Sequence, residues 1–538
     1  MSRNGNGNKR RNILLITTDQ MRYDALQCNG GQIARTPVAN RLSEEGINYR
    51  RAHNQNVVCM PARSSMITGQ YVRTHGVFAN GVPLPEGAPS IAGHLHDNGY
   101  RTALIGKAHF QPALDLSGKW RENRMARDME NGPYRGFDYM ELAMHGPQPM
   151  WHYGKWLQEN HPAYVSGFYQ LFTSKGINEE GGGDTGAPEV KFNPLPREYY
   201  HTDWVGERTT RWLDSLDGED SWFLWMSFPD PHHPWDPPES EIHRVNWRDL
   251  DLPAGHPGSV EKCVEILSQK PRHWLDYYEG RFRNVEGGPV RFVPKMMTHD
   301  QVREVNAMTH IQNELIDETC GRVLDRIEQL GWGENTDVFF TTDHGELQGD
   351  YGLMFKGPYH CDSLMRIPFI WRPGKEAGVA PAEVLDPVGQ VDLAATFCDI
   401  AGVATPDWVQ GKRLPTEPGS APHERMITEW DSQFPTYGMH LRTIYRDGFT
   451  CTVYEKSTRE PNGLTADMIP LPKFRMPETD IFYDGTEGEL YKNEDDPHQW
   501  YNLWHDPKYE SMKRDLIDDL YRNLPTQRDP LLLVESPA

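Results

Sequence analysis

The sequence predicts an α/β fold: a large, mostly parallel sheet sandwiched by helices, followed by a smaller α+β domain at the C-terminus. Three observations predict it. Short β-branched or aromatic runs alternate with helical patterns through roughly the first 400 residues, which implies parallel strands covered by helices on both faces. Beyond about residue 420 the alternation gives way to a hairpin pattern and one last helical pattern. The chain has 538 residues, 37% hydrophobic and 11% aromatic with 16 tryptophans, which is too long for one small core and too apolar for disorder. We expect a disordered tail over residues 1–11, a main α/β domain over 12–420 and an α+β subdomain over 421–538.

Taken in order, Asn12–Thr18 is a continuous apolar and β-branched run that reads as a buried strand. Thr36-Pro37 opens a helix with threonine as its cap and proline at its first position, and Gly46 closes it. Pro61 suits the first turn of another helix and places Cys59 just before the positive end of its dipole. Ser90 to Asn98 forms a helix ended by Gly99, and Arg101–Ile105 is the strand after it. Residues 110 to 200 are rich in Gly, Pro, Asn and charge, and read as long loops over one edge of the sheet. Trp222–Phe228 and Asp337–Thr342 are further strands, the second preceded by a long amphipathic helix through Val302–Leu330. Arg372–Pro387 reads as a surface stretch, His440–Tyr454 as a hairpin turning at Asp447-Gly448, and Ser511–Leu524 as a final amphipathic helix.

A net charge of -22 argues against nucleic acid or an anionic membrane surface as the main partner, while a local group of cations could still hold a small anion. No stretch approaches the roughly 18 apolar residues that span a bilayer, and the run Ile13–Ile16 is too short for a signal peptide. Seven scattered cysteines without a Cys-x-x-Cys pair point to a reducing, cytoplasmic home. A homo-oligomer stays open.

In an open parallel sheet, ligands bind outside the carboxyl ends of the strands. Asp19-Gln20 follow the first strand, and Lys107 and His109 follow Arg101–Ile105. His232 follows Trp222–Phe228, and Asp343-His344 follow Asp337–Thr342, with Lys356 a short loop further on. Each alone has an ordinary explanation as a turn former, a loop residue or a solvated charge. Together they put metal-type ligands and cations at four strand ends on one edge. Cys59, at its helix start, is by itself either a packing thiol or a thiolate of lowered pKa.

The segment Cys59-Met60-Pro61-Ala62-Arg63, followed by Thr68-Gly69, resembles the signature of the sulfatases in the alkaline phosphatase superfamily. The resemblance runs from Asn12 to Gly488-Glu489-Leu490-Tyr491 and Asn502-Leu503. It implies an alkaline phosphatase-like fold, and a formylglycine-generating enzyme as the partner that converts Cys59 into formylglycine. It also implies one divalent metal held by Asp19, Gln20, Asp343, His344 and residue 59, with a small-molecule sulfate ester as substrate. The hydrated aldehyde would attack sulfur, helped by Asp343 as base and oriented by Arg63. His232, Lys356 and Lys107 would neutralise the leaving and non-bridging oxygens. His109 would be the base that releases the covalent sulfate, and Asn80, in Phe78-Ala79-Asn80-Gly81, would contact substrate oxygens.

Many members carry Asp-Asp after the first strand and Asp-Asn-Gly at the later one, where this chain has Asp19-Gln20 and Asp343-His344-Gly345. Two ligand carboxylates plus an imidazole make calcium or manganese the expected ion, with zinc a weaker fit. The same pairs resemble those of choline sulfatases and phosphonate monoester hydrolases. Gly106-Lys107-Ala108-His109 favours the sulfatase side. The expected function is therefore hydrolysis of a soluble aryl or alkyl sulfate, the alternative being a phosphonate monoester hydrolase or phosphodiesterase on the same scaffold. His233 reads as structural, while Trp235 and the Trp-rich segment 150–156 could line an apolar or quaternary-ammonium pocket, with core or rim packing the favoured reading.

Overall fold

The computed structural model describes the chain except residues 1–9, 114–117, 174–175, 179, 284–285, 287, 290–291, 421–422, 433–436, 458–479 and 536–538. Most of the tail expected at the N-terminus thus lies outside the described residues. Its last two residues are fastened: the Arg11 guanidinium pairs with Asp337 at 2.8 Å, and the Arg10 carbonyl accepts from Asn335.

Eight strands form the main sheet: β1 (Asn12–Thr18), β2 (Ile47–Tyr49), β3 (Arg101–Gly106), β4 (Tyr139–Leu142), β5 (Trp222–Ser227), β6 (Thr336–Thr342), β7 (Phe369–Arg372) and β8 (Ala382–Val384). Their order across the sheet is β8-β2-β7-β6-β1-β5-β3-β4. All pairings are parallel except the two made by β7.

Strand β1 shows why the sheet has two covers. Successive side chains point to opposite faces. Ile13 and Leu15 enter one core with Met66, Ile67, Leu95 and Phe397, while Leu14 and Ile16 enter the other with Trp204, Val205 and Ile311. The second cover is built by α1 (Pro37–Glu45), α5 (His201–Asp214) and α6 (His299–Gln329), and the first by α2 (Cys59–Thr68), α3 (Ile91–Asp97), α4 (Arg121–Arg127) and α7 (Leu393–Ala401). Helix α6 opens on a capping box between Thr298 and Gln301.

Three sequence expectations are corrected. Thr36 precedes α1, but its hydroxyl accepts from the Gln27 amide, and the first-turn N–H groups of Val38 and Ala39 donate instead to the Asp317 carboxylate of α6, both at 2.9 Å. The region 110–200 is not loop alone, since it supplies the edge strand β4, helix α4 and the helix His152–Asn160. The stretch 372–387 contains β8, which pairs with β2 at the opposite edge. Both missed strands are short, and they are ordered by a neighbour's hydrogen bonds rather than by their own hydrophobic pattern.

Strands β9 (Met426–Asp431), β10 (His440–Arg446), β11 (Phe449–Tyr454) and β12 (Gly488–Lys492) form an antiparallel sheet in that order. Helix α8 (Glu510–Asn523) packs Leu516 and Leu520 against its Ile444, Cys451 and Leu490. Asp447 and Gly448 both take positive φ, 53° and 76°, as a tight two-residue hairpin turn requires. Beyond α8 the chain returns to the main domain, where Arg528 N donates to Arg73 O and Glu535 N to Gly81 O. Among the described residues no helix is long and apolar enough to cross a membrane.

The strand register decides where the chemistry collects. Thr18 pairs with Thr342, Ser227 with Gly106, and Gly106 with Leu142. With Thr17 paired to Ser227, five parallel strands end within one residue of each other, and the residues after them share one edge.

Candidate active site

Cys59 is the first residue of α2, a helix buried along its whole length. Its sulfur lies 3.2 Å from His344 Nε2, 3.6 Å from Asp19 Oδ1 and 3.7 Å from Lys107 Nζ. Burial, joined by Asp19, pushes the thiol up to about 12 against the pull of Lys107 and Lys356. An unmodified Cys59 is thus protonated at neutral pH, a poor nucleophile for the thiolate reading.

Arg63 stands one turn further along α2 and is fully buried. Its Nε donates to Asp343 Oδ2 at 2.9 Å, one terminal nitrogen donates to Ser227 Oγ at 2.8 Å and to the Lys107 carbonyl at 2.9 Å, and the other lies 3.6 Å from Asp19. It therefore ties four strand ends to the helix and meets residue 59 through the two carboxylates. Lys107 forms an ion pair with Asp19. Burial alone would raise the Asp19 carboxyl, but Lys107, Arg63 and His344 outweigh it and hold it below the usual carboxylate range.

The loop backbone is strained where it carries these groups. Gln20 and His109 both sit at positive φ, 66° and 57°, a conformation costing a non-glycine residue on the order of 1 kcal/mol. Each is held by a carboxylate: Gln20 N donates to Asp343 Oδ1 at 3.0 Å, and His109 N to Glu122 Oε1 at 3.0 Å. Gly106 takes φ 107°, and a Cβ there would stand 1.7 Å from the Ser227 carbonyl oxygen. Only glycine lets β3 close on β5 so that Lys107 N reaches that same oxygen at 2.8 Å.

Ligand-type atoms of Asp19, Cys59, Asp343 and His344 all lie within 4.8 Å of one another, and all four residues are buried. His344 Nδ1 donates to the Gly345 carbonyl at 2.8 Å, which leaves the Nε2 lone pair facing this group. Burial holds the imidazole neutral, at about 4, despite Asp343 and Asp19. Two carboxylates and one imidazole nitrogen fit a divalent metal. The side chain of Gln20, also expected as a ligand, stands beside this group: its oxygen accepts from Lys356 Nζ at 2.6 Å, and its amide donates to Glu346.

Lys356 also donates to His232 Nε2 at 2.7 Å. Asn80 is placed at the start of α2, where its oxygen accepts from Met60 N at 3.0 Å and its amide donates to Glu286 at 3.1 Å. These contacts set Asn80, expected to meet substrate oxygens, beside residue 59 at the start of α2. His109 is buried, and neither ring nitrogen has a hydrogen-bond partner among the described residues. Burial, then Lys107 and Arg63, push its pKa well below the ordinary value. His233 pairs with Glu189, Trp235 stacks on Phe355, and Trp151 lies in the core, all as packing groups.

Sequence reasoning missed His145. It follows β4, its Nε2 accepts from Lys107 Nζ at 3.3 Å, and its ring stacks on His232 with centroids 4.1 Å apart. The strand-end rule that located the other residues would have found it, had β4 been read as a strand.

The family model described as "Sulfatase" matches residues 11–403. A multifunctional alkaline phosphatase superfamily protein of Trinickia caryophylli is 25% identical over 519 residues, covering 94% of this chain and 93% of that protein. An arylsulfatase of Clostridium perfringens is 28% identical over 419 residues, covering 75% and 77%. The crystal structure of a phosphonate monoester hydrolase of Agrobacterium radiobacter superposes with a TM-score of 0.74 at 20% identity, covering 95% of each chain, and shares the fold. With a matching family model across most of its length and a buried metal-type site around the motif cysteine, the chain belongs to the sulfatase family of sulfuric ester hydrolases.

Proposed function

We propose that this sulfatase hydrolyses a soluble aryl or alkyl sulfate, using formylglycine made from Cys59 by a formylglycine-generating enzyme and one divalent metal held by Asp19, Asp343 and His344. The observation that carries this reading is the position of residue 59, in contact with both Asp19 and His344 of the ligand group and with the Lys107 ammonium. A divalent metal held by these residues would supply Lewis acidity. Formylglycine hydrate supplies two hydroxyls, so that one can serve as nucleophile and the other as exit.

The chain's own residues do the rest. Arg63 fixes the two ligand carboxylates against α2. Lys107 and Lys356 offset negative charge on the sulfuryl oxygens and leaving group. His232, accepting from Lys356, fixes the direction of that ammonium. His109 is buried and neutral, with both nitrogens unclaimed among the described residues, which suits a base that takes a proton after the alcohol has left. The arylsulfatase relative supports the aryl side of the substrate class.

A second reading, phosphonate monoester hydrolysis, is favoured by the Asp19-Gln20 and Asp343-His344 pairs. Lys107 and His109 weigh against it.

The test uses metal-loaded protein whose formylglycine content has been measured by mass spectrometry, on matched aryl sulfate and aryl phosphonate esters. Sulfate should be preferred, and Cys59→Ala should abolish turnover without unfolding the protein. In rapid mixing, Lys107→Ala should slow the first release of alcohol on the order of 100-fold. His109→Ala should release one alcohol per site and then stall. Preference for the phosphonate would overturn the substrate class, and full activity from an unmodified thiol would overturn the nucleophile.

A further inference from the structure

We infer that Glu122 is a positioning residue for His109, its carboxylate gripping two successive backbone N–H groups so that the imidazole stands ready for the second half of the reaction. The inference rests on the reading of His109 given above. Glu122 is in the first turn of α4 and is fully buried. Oε1 accepts from His109 N at 3.0 Å, and Oε2 accepts from Phe110 N at 3.1 Å and from the Tyr134 hydroxyl at 3.0 Å.

The grip has its own anchors. The Glu122 amide donates to Gln111 Oε1 at 2.9 Å. Arg135 Nε donates to the Tyr134 hydroxyl at 3.0 Å, and the rest of its guanidinium donates to the carbonyls of Leu84 and Pro85. Leu84 N in turn donates to the Phe110 carbonyl at 2.9 Å. Residues 109 and 110 are thus held from both sides.

Two observations assign this framework to His109 rather than to the loop in general. His109 adopts the left-handed region, φ 57°, uncommon for a non-glycine residue and kept where the surrounding structure over-determines it. Its buried ring has no partner on either nitrogen among the described residues. A packing histidine would ordinarily be hydrogen-bonded, whereas a base must keep its nitrogen open for the group it serves. The backbone is constrained and the side chain is left uncommitted, an arrangement that orients a reactive group without occupying it.

The experiment is rapid mixing of Glu122→Ala, Glu122→Gln and His109→Ala with an activated aryl sulfate, with formylglycine content and thermal midpoint recorded for each. Displacing a reacting group by about an ångström costs on the order of 100-fold. Glu122→Ala should therefore keep the first release of alcohol within about threefold of the parent and lose at least roughly tenfold in the steady rate. Glu122→Gln keeps one acceptor for the two N–H groups and should fall between. If Glu122→Ala does not fold, Glu122→Gln decides, with a several-fold loss confined to the steady rate as the expected result. Equal loss of first release and steady rate would mark Glu122 as a structural residue and overturn the inference, as would an unchanged steady rate. If His109→Ala itself fails to stall, the reading of His109 falls. If it stalls while the Glu122 variants do not slow, only the positioning role falls.

Discussion

Two neutral imidazoles accept hydrogen bonds from the two site lysines, His145 from Lys107 and His232 from Lys356, and their rings stack. An ammonium has three donors; fixing one on an imidazole fixes the directions of the others. Burial and the neighbouring lysines keep both rings neutral, so the pairing adds no positive charge to the site. Much of this arrangement was legible because metal-type and cationic residues at strand ends are recognisable one by one: Asp19, Lys107, His232 and Asp343 each follow a strong strand. His145 was not legible, because Tyr139–Leu142 is four residues long and lies in a region of glycine, proline and charge. Glu122 was not, because no pattern links it to a backbone amide 13 positions earlier. At this scale His344 gives a test that needs no turnover. It offers the nitrogen of the ligand group, so His344→Asn should shift affinity, read by calorimetric titration of the protein with each ion, from manganese towards calcium. Unchanged relative affinities would remove His344 from the coordination sphere.

At the scale of elements, α1 and α6 show how a correct boundary can hide its cause. Thr36-Pro37 marks the start of α1 in the sequence, and the helix does start there. The groups that satisfy its first turn are the carboxylate oxygens of Asp317, on a helix that the chain reaches far later. Burial raises the Asp317 carboxyl to about 6, against the two donors, so at neutral pH it is mostly the charged acceptor. Asp317→Ala should lower the unfolding free energy by about 1–2 kcal/mol, the usual cost of a lost cap, and Asp317→Asn by less. Urea denaturation measures this, with activity per folded molecule unchanged. A loss of only a few tenths would mean that Thr36 takes over the cap. The long central strands and the capped helix α6 were legible from their own patterns, whereas β4 and β8 depend on partners already in place.

Across the whole molecule, many histidines are buried and neutral. His53, His75, His201 and His360 are pushed down by burial to about 4, 3, 3 and 3. In the unfolded chain they titrate near 6.5. Their folded values are depressed, so the unfolded state binds more protons, and stability is lost as pH falls below about 6.5 towards those values. Buried carboxyls such as Glu122, Asp230 and Glu429, each raised by burial to about 7, have the opposite sign: the stability they contribute is lost as pH rises through the interval from about 4 to 7. A single group separates the two sets. His75, bonded to Ser65 and to Val77 N, stands apart from the ligand group. In His75→Gln, stability should fall less steeply than in the parent between pH 6.5 and 5, by roughly 2 kcal/mol over that range. Parallel denaturation curves at each pH would show that His75 does not carry the effect. The burial of residue 59 has a different kind of consequence, one of time. It is 1% exposed once the fold closes, yet the strand and loop that wall it, from Thr336 to Lys356, are joined to the growing chain roughly 280 residues later. At about 5–20 residues per second, synthesis leaves that cysteine uncovered for tens of seconds. Under the proposed maturation, the share of molecules that become active is set by a race on the ribosome, and a chain that folds with its thiol intact has missed its turn.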